Sequence, residues 1–68
     1  MKLKKVIKTL NKGVLIRIFY NQQPITNVCT IKELKMNLIY SNIKNHKVIY
    51  FAEIPSSFNN KVVNIHIE

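Results

Sequence analysis

The side chains in this sequence that could do chemistry are few, and their spacing excludes most of it. Cys29, His46 and His66 are the only thiol and imidazole donors. No two of them stand at the Cys-x-x-Cys or His-x-x-x-His spacing that closes a tetrahedral metal site, so neither a metal nor a cofactor is expected. A nucleophile needs a base beside it and a group to orient that base, and Cys29 has no such local signature. Any acid–base pair must come from Glu33, Glu53 and Glu68, the only acids. Glu33 is accounted for by a helix cap, and Glu68 is the C-terminal residue. Gly13 is the only glycine, which leaves no Gly-rich loop to cradle a phosphate. The expectation is a protein with no catalytic residues.

What remains is charge. Eleven basic residues against three acids give a formal net charge of +8 over 68 residues. Lys2, Lys4, Lys5, Lys8, Lys12 and Arg17 all fall within the first twenty residues, with no acid among them. Such one-sided clustering is the footprint of a surface that faces a polyanion, and these six are the candidate nucleic-acid-binding residues. The competing reading is compositional. Asn, Lys and Ile supply thirty of the 68 residues, all with A/T-rich codons, and a lysine-rich helix face is commonly only a solvated one. Arg17 and Phe19 share one face of a strand, as do Ile49 and Phe51, and an aromatic, basic sheet can stack single-stranded bases; such rings more often fill a core. The rival class is a protein-directed module, such as an inhibitor of a host defence complex of the anti-CRISPR kind. The positive charge speaks against acidic mimicry of nucleic acid and for a grip on an acidic or nucleoprotein surface.

The compartment follows from what is missing. The opening MKLKKVIKTL has the basic start of a signal peptide, but Lys8, Asn11, Lys12 and Arg17 interrupt any apolar run. No stretch approaches the roughly 18–20 apolar residues that span a bilayer. A first helix without Trp or Phe is a poor interfacial anchor. Cys29 has no partner for an internal disulfide. A cytoplasmic protein with no membrane partner is expected.

The elements that must position these residues are legible from periodicity. Leu3, Val6, Ile7 and Leu10 fall at i, i+3, i+4 and i+7, predicting an amphipathic helix over about 2–12 with Gly13 as its left-handed terminator. Val14–Tyr20 alternates as a strand, with Val14, Ile16, Ile18 and Tyr20 on one face and Leu15, Arg17 and Phe19 on the other. Asn21-Gln22-Gln23-Pro24 has turn chemistry, and Ile25–Cys29 reads as the returning strand of a hairpin. Thr30-Ile31-Lys32-Glu33 is a capping box, with Cys29 and Leu34 as its hydrophobic staple. It opens a helix buried through Ile31, Leu34, Leu38 and Ile39 that frays over Tyr40–Asn45. Val48–Ile54 is a third strand, 55–60 a connection, and Val62–Ile67 a fourth strand with Val63, Ile65 and Ile67 on one face.

These elements predict a single α+β domain over 1–68, in αββαββ order: a four-stranded, mostly antiparallel sheet with two short helices. The third strand could pair beside the first or the second. A second apolar sheet face (Leu15, Phe19, Ile49, Phe51) needs cover. A single core of this size rarely supplies more than roughly 3–5 kcal/mol, so a homodimer is expected.

The run Val14-Leu-Ile-Arg-Ile-Phe-Tyr-Asn, then Ile25, Thr30-Ile-Lys-Glu-Leu, Asn37-Leu, Tyr40-Ser-Asn and the closing Val63-Asn-Ile-His-Ile-Glu68 resembles small proteins encoded by phages and mobile elements of low-GC Gram-positive bacteria. The resemblance covers most of the chain. It implies an accessory role in such an element and transfers no functional residue. Those proteins often carry a glycine in the first strand turn, where this chain has Gln22-Gln23-Pro24.

Overall fold

In the computed structural model, residues 1–55 and 61–68 are described; most of the connection expected at 55–60 lies outside them. Over these residues the chain is α+β, with three helices and an open, mixed, five-stranded sheet. In chain order the elements are α1 (Leu3–Thr9), β1 (Leu15–Tyr20), β2 (Gln23–Pro24), β3 (Cys29–Thr30), α2 (Ile31–Met36), α3 (Leu38–Ile43), β4 (Val48–Pro55) and β5 (Lys61–Ile67). The expected four strands and two helices are thus matched only roughly.

The sheet runs β2-β1-β5-β4, with β3 also on β1. Neither neighbour expected for the third strand is found. The last strand, β5, inserts between β1 and β4, parallel to β1 and antiparallel to β4. The burial of side chains accounts for this order. Val63, Ile65 and Ile67 are all essentially buried and need neighbours on both sides, whereas β4 carries Glu53 and Ala52 and tolerates the edge.

Ile16 and Ile18 of β1 and Val63, Ile65 and Ile67 of β5 form the covered face. Leu3, Val6 and Ile7 of α1, Leu34 of α2 and Ile43 of α3 close over them into one core. Strand alternation turns Leu15, Arg17 and Phe19 to the opposite face, which no helix among the described residues covers.

The local departures from the expected elements have physical causes. Helix α1 stops at Thr9, with Leu10 extended, and Gly13 has no positive φ, so it is not a left-handed terminator. The first free N–H groups of α1 are taken up by the turn before β4: Leu3 N donates to the His46 carbonyl at 2.9 Å and Lys4 N to that of Lys44 at 3.0 Å. The second predicted helix is two helices. The Thr30–Glu33 capping box forms as read, but Asn37 breaks the run with ψ 134° and caps α3 by accepting from Ile39 N at 3.0 Å. Helix α3 then ends at Ile43, within the stretch 40–45 where the helix is expected to fray.

The first hairpin is tighter than expected. Asn21 and Gln22 both adopt positive φ (51° and 64°), the signature of a two-residue type I′ turn, so Gln23 and Pro24 already lie in β2. The predicted strand 25–29 is interrupted, since the buried Thr26 hydroxyl accepts from Ile18 N at 3.0 Å in place of a backbone carbonyl.

In β4 the register shifts between Val48 and Tyr50, leaving Ile49 as the extra residue of a bulge. Val48 pairs with Ile67 on the covered face, while Tyr50 pairs with His66 on the open one. The bulge therefore reverses the alternation expected for this strand: Phe51 goes to the helix side and Tyr50 to the open side.

Candidate nucleic-acid interface

The six predicted basic residues do not form one patch. Lys2, Lys4, Lys5, Lys8 and Lys12 are exposed on the helix side of the sheet, because Leu3, Val6 and Ile7 turn inward to the core. Arg17 is on the opposite side, half-buried on the open sheet face, its guanidinium over the Phe19 ring at 5.6 Å and its Nε donating to the Thr26 carbonyl at 3.4 Å. The sequence groups Arg17 with the lysines by proximity along the chain; strand alternation separates them.

The lysines divide again. Lys2, Lys4 and Lys5 line a shallow hollow with Met1 at the start of α1. Lys8 and Lys12 instead face a groove of about 490 Å³ between α1 and α2. Lys32 and Lys35 of α2 line the same groove, spaced i and i+3 so that both fall on one face of that helix. Lys8 of α1, Lys12 in the turn after it, and Lys32 and Lys35 of α2 thus rim one depression, and no carboxylate lines it. Its floor is apolar, made by Ile7, Leu10, Ile31 and Met36, and Met36 is 75% exposed. Lys32 and Lys35 escape the sequence reading because it weighs charge by segment, and Glu33 lies between them. The helical spacing sends Glu33 elsewhere, to the capping box and the neighbouring hollow lined by Thr26 and Asn37.

Glu33 is fully occupied at that cap. Its Oε1 accepts from Thr30 N at 3.0 Å, and its own N–H donates to Thr30 Oγ1 at 3.1 Å. Acceptance from the Thr30 backbone, and secondarily from its hydroxyl, holds the carboxyl below the usual range. Cys29 is partly buried against the core, and this burial, with the Glu33 charge nearby, pushes its thiol up, away from a reactive thiolate. Burial likewise raises the Tyr40 phenol. Among the described residues no three His, Cys, Asp or Glu side chains gather as a metal site would need, and the only ion pair is Lys61–Glu53 at 3.6 Å, exposed and weak.

The open face carries a feature the sequence reading missed. Phe19, His66 and Tyr50, from three adjacent strands, stack in a row: Phe19 on His66 at 4.7 Å and 15°, His66 on Tyr50 at 4.3 Å and 13°. Each such pair contributes about 0.5–1.5 kcal/mol beyond its buried area. His66 is sandwiched between the other two rings and Arg17 lies over Phe19, while Tyr50, on the edge strand, remains 55% exposed. The bulge at Ile49 is what brings Tyr50 onto His66, and nothing in the residue types announces a bulge.

No helix among the described residues is long and apolar enough to cross a membrane. No protein-family model, curated protein or solved structure matches this chain.

Proposed function

We propose that this chain is a small, non-catalytic accessory protein of a phage or mobile element that works in the cytoplasm by binding nucleic acid or a nucleoprotein through its helical side. One observation carries the reading: Lys8 of α1, Lys12 in the turn that follows it, and Lys32 and Lys35 of α2 converge on one groove with no carboxylate in its lining. A lysine face produced by codon composition alone has no reason to be matched by a second helix across a depression. Lys4 and Lys5 extend the positive surface along α1. The contacts are to phosphate, so binding depends steeply on salt and weakly on sequence.

A second reading is favoured by the floor of the groove. Ile7, Leu10, Ile31 and Met36 give it an apolar base inside a cationic rim, which suits an acidic amphipathic segment of a host protein, the mode of a protein-directed inhibitor of a defence complex. The two readings separate by fluorescence anisotropy with single- and double-stranded DNA and RNA across a salt series from about 50 to 200 mM. Binding at micromolar concentration or tighter, lost on Lys8→Glu with Lys12→Glu, supports the nucleic-acid reading. Absence of binding at the lowest salt refutes it and leaves the acidic protein segment as the ligand to seek.

A further inference from the structure

We infer that a second copy of this chain pairs along the outer edge of β4 from Tyr50 to Ile54, about a two-fold axis at Ala52, to give one continuous sheet twice as wide. Strand β4 ends the sheet order, so among the described residues its outer backbone groups have no strand partner. The edge is closed at one end only. Val48 N donates to the Met1 carbonyl at 2.8 Å and Lys2 bridges Lys47, so the N-terminal residues occupy the edge ahead of the bulge at Ile49. Beyond it the edge runs free to Pro55, which has no N–H to offer.

That free window selects one register. In an antiparallel pair directly opposed residues lie on the same face, so an axis must pass through one residue of the strand. An axis at Ala52 sets Tyr50 opposite the partner's Ile54 and Phe51 opposite the partner's Glu53, and it centres the pairing on the open stretch. An axis at Phe51 drives the partner's strand end toward the Met1–Lys2 segment. An axis at Glu53 places two carboxylates directly opposite.

Composition favours a second copy over another occupant. Natural edges are blunted by lysines, yet none of the ten lysines lies in β4; its one charge, Glu53, is matched by Lys61. Ile49, Tyr50, Phe51 and Ile54 are all exposed by 46% or more. A chain of charge +8 repels its copies almost everywhere, and β4 is where that repulsion is least. A two-fold that pairs edge strands antiparallel stands perpendicular to the sheet, so both sets of helices fall on the same side. On the nucleic-acid reading, this doubles the lysine grooves on one surface.

The test is mass, measured without nucleic acid, so its failure is distinct from failure of the binding reading. Sedimentation equilibrium of the full chain is expected to give roughly twice the 8.0 kDa of one copy. Ala52→Lys and Ala52→Glu, each alone, return it to one copy with unchanged circular dichroism, and their equimolar mixture restores the double mass. Ala52→Cys, in a Cys29→Ser background, crosslinks to itself under mild oxidation, because directly opposed Cα atoms lie about 4.5–5.5 Å apart, within disulfide reach. A wild-type chain that stays at 8.0 kDa up to millimolar concentration overturns the inference. So does a dimer that persists in Ala52→Lys or that Met36→Lys dissolves, since either places the partner elsewhere.

Discussion

Replacing Lys32 and Lys35 by Gln tests the groove where sequence and structure disagree most. Sequence alone puts the binding charge on residues 2–17; the structure pairs Lys32 and Lys35 with Lys8 and Lys12 around one depression. With four phosphate contacts on duplex DNA, the logarithm of affinity falls with that of salt at a slope of about −3.6, or about −2.8 on a single strand. Between about 50 and 200 mM salt the duplex slope amounts to a loss of about 150-fold. Removing two contacts lowers the slope to about −1.8 and the loss to about 12-fold. Arg17→Gln, on the opposite side of the sheet, is expected to leave the slope unchanged. Both variants lie outside the apolar core, so circular dichroism should match the parent. Anisotropy at four or five salt concentrations measures each slope. A slope untouched by Lys32→Gln with Lys35→Gln but reduced by Arg17→Gln would refute the reasoning and move the interface to the open face.

The other predictions concern the scaffold. Gln22 sits at φ 64° in a turn that favours glycine, so Gln22→Gly is expected to stabilise the chain by about 1 kcal/mol, read as a rise of about 4–8 °C in Tm. Leu34 is fully buried between α2 and the sheet; Leu34→Ala is expected to cost about 2–5 kcal/mol in chemical denaturation, a large share of the stability of so small a domain. Thr30→Ala removes the cap of α2 and costs about 1 kcal/mol by the same assay. The Glu33 carboxyl is held low in the folded state, so its contribution is present above the unfolded value and fades as pH falls through the folded one. Thermal melts from neutral pH down to about pH 2 are expected to show a shallower acid-side decline in Glu33→Gln than in the parent.

Much of this fold is local and was therefore legible in residue order. The stripe Leu3, Val6, Ile7, the alternation of Ile16 and Ile18, the Thr30–Glu33 box and the Val63-Ile65-Ile67 face are all found where periodicity or capping chemistry puts them. Each depends on neighbours within about one turn or two strand steps, a range over which side-chain direction follows from backbone geometry. The lysine face of α1 was readable for the same reason.

Tertiary structure decided what depends on which elements meet. Asn37 could have capped a helix or sat within one, and the packing of α3 through Ile43 against the core settled the break. The insertion of β5 beside β1 is a choice among strand neighbours that alternation cannot make, since any neighbour with a matching apolar face satisfies it equally. The bulge at Ile49 reversed the facing of every later β4 residue, because strand period is two and one extra residue inverts it. From that inversion comes the Phe19–His66–Tyr50 row. From the docking of α2 beside α1 comes the four-lysine groove. The charge was written in the sequence; its division between two sides of a sheet, with Arg17 on one and the lysines on the other, exists only once the chain has folded.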